Sequence, residues 1–214
     1  MKIIKPNISK ELDTVEDLLK LIRDAKEDEL DIETKQINNI SFADIDVSKL
    51  CFRDTVFENC KFINCVFDKT DFIDIVFKSC DLSNSSCNGA YFNRCELVSC
   101  KGIGIALQNA TLKEVSFLNS HFKYANFDMA LLKNVSMIGC DLSHANISEC
   151  RLSNFKSKET IFSGVSFFKT LLKGVDFSES DINGISVSSE ELKGLIVNPV
   201  QAVELSKILG LIIK

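Results

Sequence analysis

Histidine is almost missing from this 214-residue chain, and with it much of what hydrolytic or metal chemistry is built from. His121 and His144 are the two present, and neither can be argued into a nucleophile–base pair. No glycine-rich loop of the phosphate-cradling kind occurs. No two of the nine cysteines have the CxxC spacing of common zinc sites. Nor is there a run of about 18 apolar residues that could cross a bilayer. The opening Met1-Lys2-Ile3-Ile4-Lys5-Pro6 lacks the apolar stretch of a secretion signal. These absences predict a soluble cytoplasmic protein that is not an enzyme, binds no cofactor or metal and makes no membrane contact. With 45% hydrophobic residues the chain has enough apolar content for one domain, and no composition shift calls for two.

What the chain has instead is a period of five. From Ile32, every fifth residue is apolar through Ile37, Phe42, Val47 and an unbroken run of phenylalanines from Phe52 to Phe77, and the series continues to Val197. Only Gly102 and Ser157 interrupt it. A second register, two residues earlier, holds small residues such as Thr70, Ser85, Ala90, Ala110, Ala125 and Ala145. Neither the 3.6-residue period of a helix nor the alternation of a simple strand fits. A chain with one large and one small inward residue in five turns a corner at each repeat, so four repeats close a square coil. Residues 32–197 then make about eight coils and a rod about 40 Å tall at the inter-strand spacing.

The cysteines fit this frame. Cys60, Cys65, Cys80, Cys95, Cys100, Cys140 and Cys150 all lie in the small register and Cys87 in the large one, which suits small buried side chains better than redox or metal chemistry. Two irregularities predict local distortion: Gly102 at a large site, within Cys100–Ile105, and the exchange of large and small residues at Phe155 and Ser157.

Solenoid ends need covers. Val15, Leu18, Leu19 and Ile22 lie on one helical face behind Asp13 as cap, predicting a helix over 14–24. Asn198-Pro199 starts and Gly210 stops a second helix, over 199–209, expected to bury Ala202, Leu205, Ile208 and Leu209. The expected organisation is an N-terminal segment with a capping helix (1–31), a β-helix (32–197) and a C-terminal helix with a tail (198–214).

Stretches such as Ala125-Asn126-Phe127-Asp128-Met129, Cys140-Asp141-Leu142-Ser143-His144, Ala145-Asn146-Ile147-Ser148-Glu149 and Ser180-Asp181-Ile182-Asn183-Gly184 resemble the motif of the pentapeptide-repeat family. The resemblance implies an all-β solenoid, a right-handed quadrilateral β-helix, here with short α-helical caps. The repeat tract, the C-terminal helix and the ending Leu209-Gly210-Leu211-Ile212-Ile213 are similar to those of Qnr-type quinolone-resistance proteins, of the loop-free kind. That similarity implies a homodimer joined through its C-terminal ends that mimics DNA, binds DNA gyrase and topoisomerase IV rather than nucleic acid itself, and protects them from fluoroquinolones. Leu205, Ile208, Leu209, Leu211, Ile212 and Ile213 are the residues expected at the dimer interface.

Even mimicry of a duplex along a rod about 40 Å long needs on the order of two dozen negative charges, whereas the net charge is −5. The distribution is more informative. Residues 11–33 hold ten acids against three bases, and residues 82–175 six against ten. Residues 176–191 hold Asp176, Glu179, Asp181, Glu190 and Glu191 with no base. A C-terminal dimer would duplicate this stretch near its dyad, and these five acids are the expected topoisomerase contacts. Against mimicry stands a basic column: Arg53, Lys113, Lys133, Lys173 and Lys193 are separated by multiples of twenty residues. Two alternatives stay open: an immunity factor against a natural toxin of gyrase, and a protein-interaction scaffold with another target.

Overall fold

The structure, a computed structural model, describes residues 3–213. Its framework is a parallel ladder in which successive long strands pair at an offset of twenty residues. Strands β2 (Ile32–Asn38), β4 (Cys51–Glu58), β6 (Asp71–Lys78), β7 (Tyr91–Val98), β8 (Thr111–Leu118), β9 (Leu131–Ile138) and β10 (Arg151–Lys158) stack in that order, following a short β1 (Asp13–Thr14). Phe52 pairs with Phe72, Phe72 with Phe92 and Lys113 with Lys133. Each long strand bends across two faces of the square. The other two faces carry β3 (Ser41–Ala43) paired with β5 (Lys61–Ile63), then isolated bridges such as Lys101–His121 and Ala106–Asn126.

The corners explain the variable positions of the repeat. One residue in five takes a left-handed backbone conformation, among them Asn39, Asp44, Asp54, Asn59 and Asn64, all with φ near +55°. Asn and Asp tolerate this region best after glycine. Gly139 and Gly164 also serve as corners, and a Cβ on Gly164 would lie 2.6 Å from the His144 ring below.

Inside, the large register forms columns of rings. Phe57 and Phe77 stack with centroids 4.9 Å apart, and Phe72 and Phe92 at 4.8 Å. The small register does more than save space. Thr70 Oγ1 donates to Val47 O at 2.9 Å, Ser85 Oγ to Phe62 O at 2.7 Å, and Cys95 Sγ to Phe72 O at 3.3 Å. Cys, Ser and Thr are interchangeable there because each offers a short donor to a carbonyl of the coil below. All nine cysteines are free, and burial pushes the Cys95 and Cys150 thiols up to about 12.

Of the two expected distortions, one is absent and one is present. At Gly102 the turns and bridges run on without interruption. Phe122, one coil on, leans into the vacant site so closely that a Cβ on Gly102 would lie 2.4 Å from its ring. Ile105 fills the small site beside it, and only a void of about 20 Å³ remains among the neighbouring rings. At Phe155 and Ser157 the ladder stops. Residues 171–178 do not pair with β10, although bridges further round the coil (Ile161–Asp181, Ser166–Ser186) persist. Phe177, whose place is above Ser157, packs on Phe162 and Phe167 at 4.9 and 5.6 Å. A groove of about 520 Å³ opens between the coils, with Ser157 Oγ donating to Asp176 O at 3.1 Å. The ladder therefore has seven rungs, from 32 to 158, and the eighth coil is only partly bonded.

The N-terminal cap is shifted from its expected place, whereas the C-terminal one starts and stops where expected. Helix α1 spans Leu18–Glu27 with Asp17, not Asp13, as N-cap, because Asp13 and Thr14 pair with β2. Its buried face is Leu18, Ile22 and Ala25, and Leu19 faces outward. Helix α2 spans Pro199–Ser206, with Asn198 and Gln201 forming a reciprocal capping box, and a 3-10 turn, Lys207–Leu209, ends at Gly210 in the left-handed region. Its inward residue is Gln201, whose Nε2 donates to Phe177 O and Ser180 O of the last coil at 2.9 and 2.6 Å. Ala202 and Ile208 are exposed and Leu205 is half-buried against the core; the Leu209 side chain lies outside the described residues.

Candidate functional surfaces

The corner and face positions of the last coils set the five C-terminal acids in different environments. Asp176 Oδ1 accepts from Ser178 N at 2.9 Å and Ser178 Oγ at 2.6 Å, and these bonds hold its carboxyl below the usual aspartate range. Asp181 accepts from Asn183 N and Ser163 Oγ. Both are tied locally yet meet no cation among the described residues. Glu179 is paired with Lys158 at 3.4 Å and Glu190 with Lys193 at 2.7 Å. Glu191 is buried, accepting from Lys169 N at 2.8 Å and Ser188 N at 2.6 Å, with the Ser188 hydroxyl the main cause of its lowered pKa. It plugs the end of the solenoid and adds nothing to the exposed acidic surface. The −5 of residues 176–191 is thus reduced by two lysines, one of them from a neighbouring coil.

Next to this acidic edge lies an apolar end. Helix α2 spends its inward position on Gln201, which leaves Val200, Val203 and Ile208 facing out, and the tail adds Leu211, Ile212 and Ile213, the second of these 89% exposed. An apolar group of this size at one end of a rod is the kind of surface that marks an interface.

A second charged feature has no counterpart in the sequence reading. Residues 3–12 form an extended strap that climbs the solenoid along its axis. Ser9 N donates to Asp54 Oδ1 at 2.7 Å, Asn7 N to Asp74 Oδ1 at 2.9 Å and Ile4 N to Glu114 Oε2 at 2.9 Å, and Lys5 pairs with Glu96 at 3.5 Å. Burial works against the ionised form of Asp74, but hydrogen bonds from Arg94 and from Asn7 N outweigh it and keep its carboxyl below the usual range. The acids at three corners are consumed by backbone amides. Side-chain types in the strap gave no sign of this.

The ladder sets Arg53, Lys113 and Lys133 in one basic column, with Lys113 stacked directly on Lys133, while Lys173 and Lys193 lie beyond its last rung. Its members differ in company: Arg53 pairs with Glu33 and Asp31, and Lys193 with Glu190, whereas Lys113, Lys133 and Lys173 form no ion pair among the described residues. Among the described residues no cluster of His, Cys, Asp and Glu could hold a metal, and no helix is long and apolar enough to cross a membrane.

Comparison with known proteins agrees with this architecture. The family model for the pentapeptide repeat region matches residues 70–137, and that for pentapeptide repeats (8 copies) matches residues 128–154. No curated protein matches. Among solved structures, trypsin-treated QnrB1, a plasmid-mediated fluoroquinolone resistance protein, superposes with a TM-score of 0.51 at 17% identity, over 84% of this chain and 99% of that one. HetL, a pentapeptide-repeat protein involved in heterocyst differentiation regulation in the cyanobacterium Nostoc, superposes with a TM-score of 0.52 at 16% identity, over 78% and 89%. Likeness at this level of identity is likeness of fold.

Proposed function

This chain is a pentapeptide-repeat protein, and from that premise we propose that it binds the type II topoisomerases DNA gyrase and topoisomerase IV as a DNA-mimicking homodimer and protects them from fluoroquinolones. The observation that carries the reading is the adjacency of two surfaces: exposed Asp176 and Glu179 and half-buried Asp181 lie on the coils next to the uncovered apolar end formed by α2 and the tail. Joining two copies through Val203, Ile208, Leu211, Ile212 and Ile213 places both acidic sets at the dyad of a rod roughly 80 Å long. The similarity of fold to a fluoroquinolone resistance protein supports the choice of target.

The test is gyrase supercoiling in the presence of ciprofloxacin, titrating in the protein and scoring both cleavage complexes and supercoiled product. Recovery of supercoiling is expected, weakened several-fold by Asp176→Lys with Asp181→Lys, the two acids without a cation partner. Inhibition without drug relief would identify a competitor of DNA, and no effect would remove gyrase as the target.

A second reading, an interaction scaffold with another target, is favoured by the pairing of Glu179 and Glu190 with lysines and the burial of Glu191. HetL matches the fold as well as QnrB1 does.

A further inference from the structure

Several surface cations of the solenoid are neutralised by an acid one rung away: Arg53 meets Glu33, Lys78 meets Glu58, Arg94 meets Asp74, and Lys101 meets Asp81, each across twenty residues. Four cations on the coils between 109 and 173 lack such a partner. Lys113, Lys133, Arg151 and Lys173 are exposed and form no ion pair among the described residues. The nearest exposed acid, Glu149, is already held by Lys169 at 3.0 Å.

The same region has a shape. Two hollows, of about 410 and 460 Å³, meet at Glu149 and Arg151; one reaches back to Asn109 and Thr111, the other forward to Lys169 and Leu171. Thr111, Leu131 and Arg151 are stacked by the ladder into one ridge, and Asn109, Met129, Glu149 and Lys169 form the corner ridge opposite. A trough therefore runs along the axis for four coils, on the order of 15 Å. Its walls are unusually apolar for outward positions: Met129 is 53%, Leu131 37% and Leu171 67% exposed. Phe168, 52% exposed, stands beside it with the Lys169 ammonium 5.1 Å from its ring.

We propose that this trough is a docking site for an acidic segment of another protein that also carries apolar side chains, laid lengthwise along the solenoid. Charge complementarity selects an anionic partner, because unpaired Arg151 lines the groove, unpaired Lys113 and Lys133 stand two residues beyond its Thr111–Leu131–Arg151 ridge, and its one exposed carboxylate is occupied. The apolar walls select a polypeptide over duplex DNA, which presents phosphate and sugar but no aliphatic surface to Leu131 and Leu171. The concavity selects a chain over a lipid surface, which would rest on the ridges and leave the trough unfilled. The solenoid already holds one extended segment along its axis, the strap of residues 3–12, against the adjoining corner. This inference does not rest on the topoisomerase reading, which concerns the opposite charge on the last coils.

The experiment is fluorescence anisotropy of the full chain with four probes: a labelled short peptide alternating Glu with Leu, a polyglutamate of equal length, a labelled DNA duplex of about 20 base pairs, and phosphatidylglycerol vesicles. The Glu/Leu peptide is expected to bind more tightly than the other three. Lys133→Glu with Arg151→Glu should weaken it about tenfold or more. Leu131→Ser with Leu171→Ser should weaken it by a similar factor and leave polyglutamate unchanged. All four positions are exposed, and an unchanged thermal melt verifies that each variant is folded. Absence of peptide binding, equal binding of polyglutamate, tighter binding of DNA or vesicles, or indifference to either double variant overturns the proposal.

Discussion

The coils between Cys51 and Ile138 and those after Arg151 are written in the same five-residue code and come out differently. In the first region rings twenty residues apart stack nearly parallel, with interplanar angles of 10° for Phe57 and Phe77 and 20° for Phe72 and Phe92, while neighbours within a coil such as Phe72 and Phe77 meet edge-on, all over an unbroken ladder. In the second, Phe162, Phe167 and Phe177 meet at 40–54°, and the ladder ends at β10. The first region has its own flaw at Gly102, yet it heals, because Phe122 has a ring to lend and Ile105 supplies bulk beside it. Phe155 cannot do the same for Ser157: it fills a small site, and the hydroxyl left in the large site takes a hydrogen bond to the coil above instead of packing. A coil is thus held by the volumes in its inward sites, with the period only providing the opportunity.

The largest effect expected on this comparison is from Phe72→Ala. Phe72 touches Phe52, Phe67, Phe77 and Phe92, so its removal should cost about 3–5 kcal/mol, read from the urea midpoint. Phe177→Ala is expected to cost less, since its coil is already only partly bonded, and an equal loss would erase the distinction between the regions. Gly102→Ala forces a methyl against the Phe122 ring and should cost about 1–3 kcal/mol. Restoring the pattern with Phe155→Val and Ser157→Leu should bring residues 171–178 back onto β10. Their amide hydrogen exchange should then slow at least tenfold; unchanged exchange would show that inward volume does not end the ladder. The smallest effect concerns the strap. The folded-state pKa of Asp74 lies below its unfolded value of about 3.9, so its contribution is full above that pH and is lost as the pH falls through the folded value. Tryptic cleavage at Lys10, the strap lysine not followed by proline, should therefore accelerate modestly in Asp74→Asn at neutral pH, while the melting curve barely moves.

Much of this could be read in advance. Two registers two residues apart, each repeating every five, are enough to specify four sides, the stacking interval and the buried rings. The basic column followed from twenty-residue spacing. What spacing does not reveal is which charges meet: Glu190 and Lys193 are neighbours three residues apart, but Glu179 finds Lys158 only through the displaced last coil. The start of α1 differs because two acids four residues apart, Asp13 and Asp17, both suit a cap, and pairing of Asp13 with β2 decides between them, whereas α2 starts at Asn198-Pro199 as expected. Gln201 is inward because two carbonyls of the coil beneath need donors, a demand invisible in the amphipathic pattern of α2. The strap escaped notice altogether because its recognition uses backbone amides, which every residue has.

That strap has a consequence for the order in which the molecule comes together. Ile4 waits for Glu114, 110 residues further on, and Asn7 for Asp74. During synthesis Ile4 and Asn7 therefore emerge well before their partners and trail free until the coil that carries Glu114 is laid down and the line is made fast.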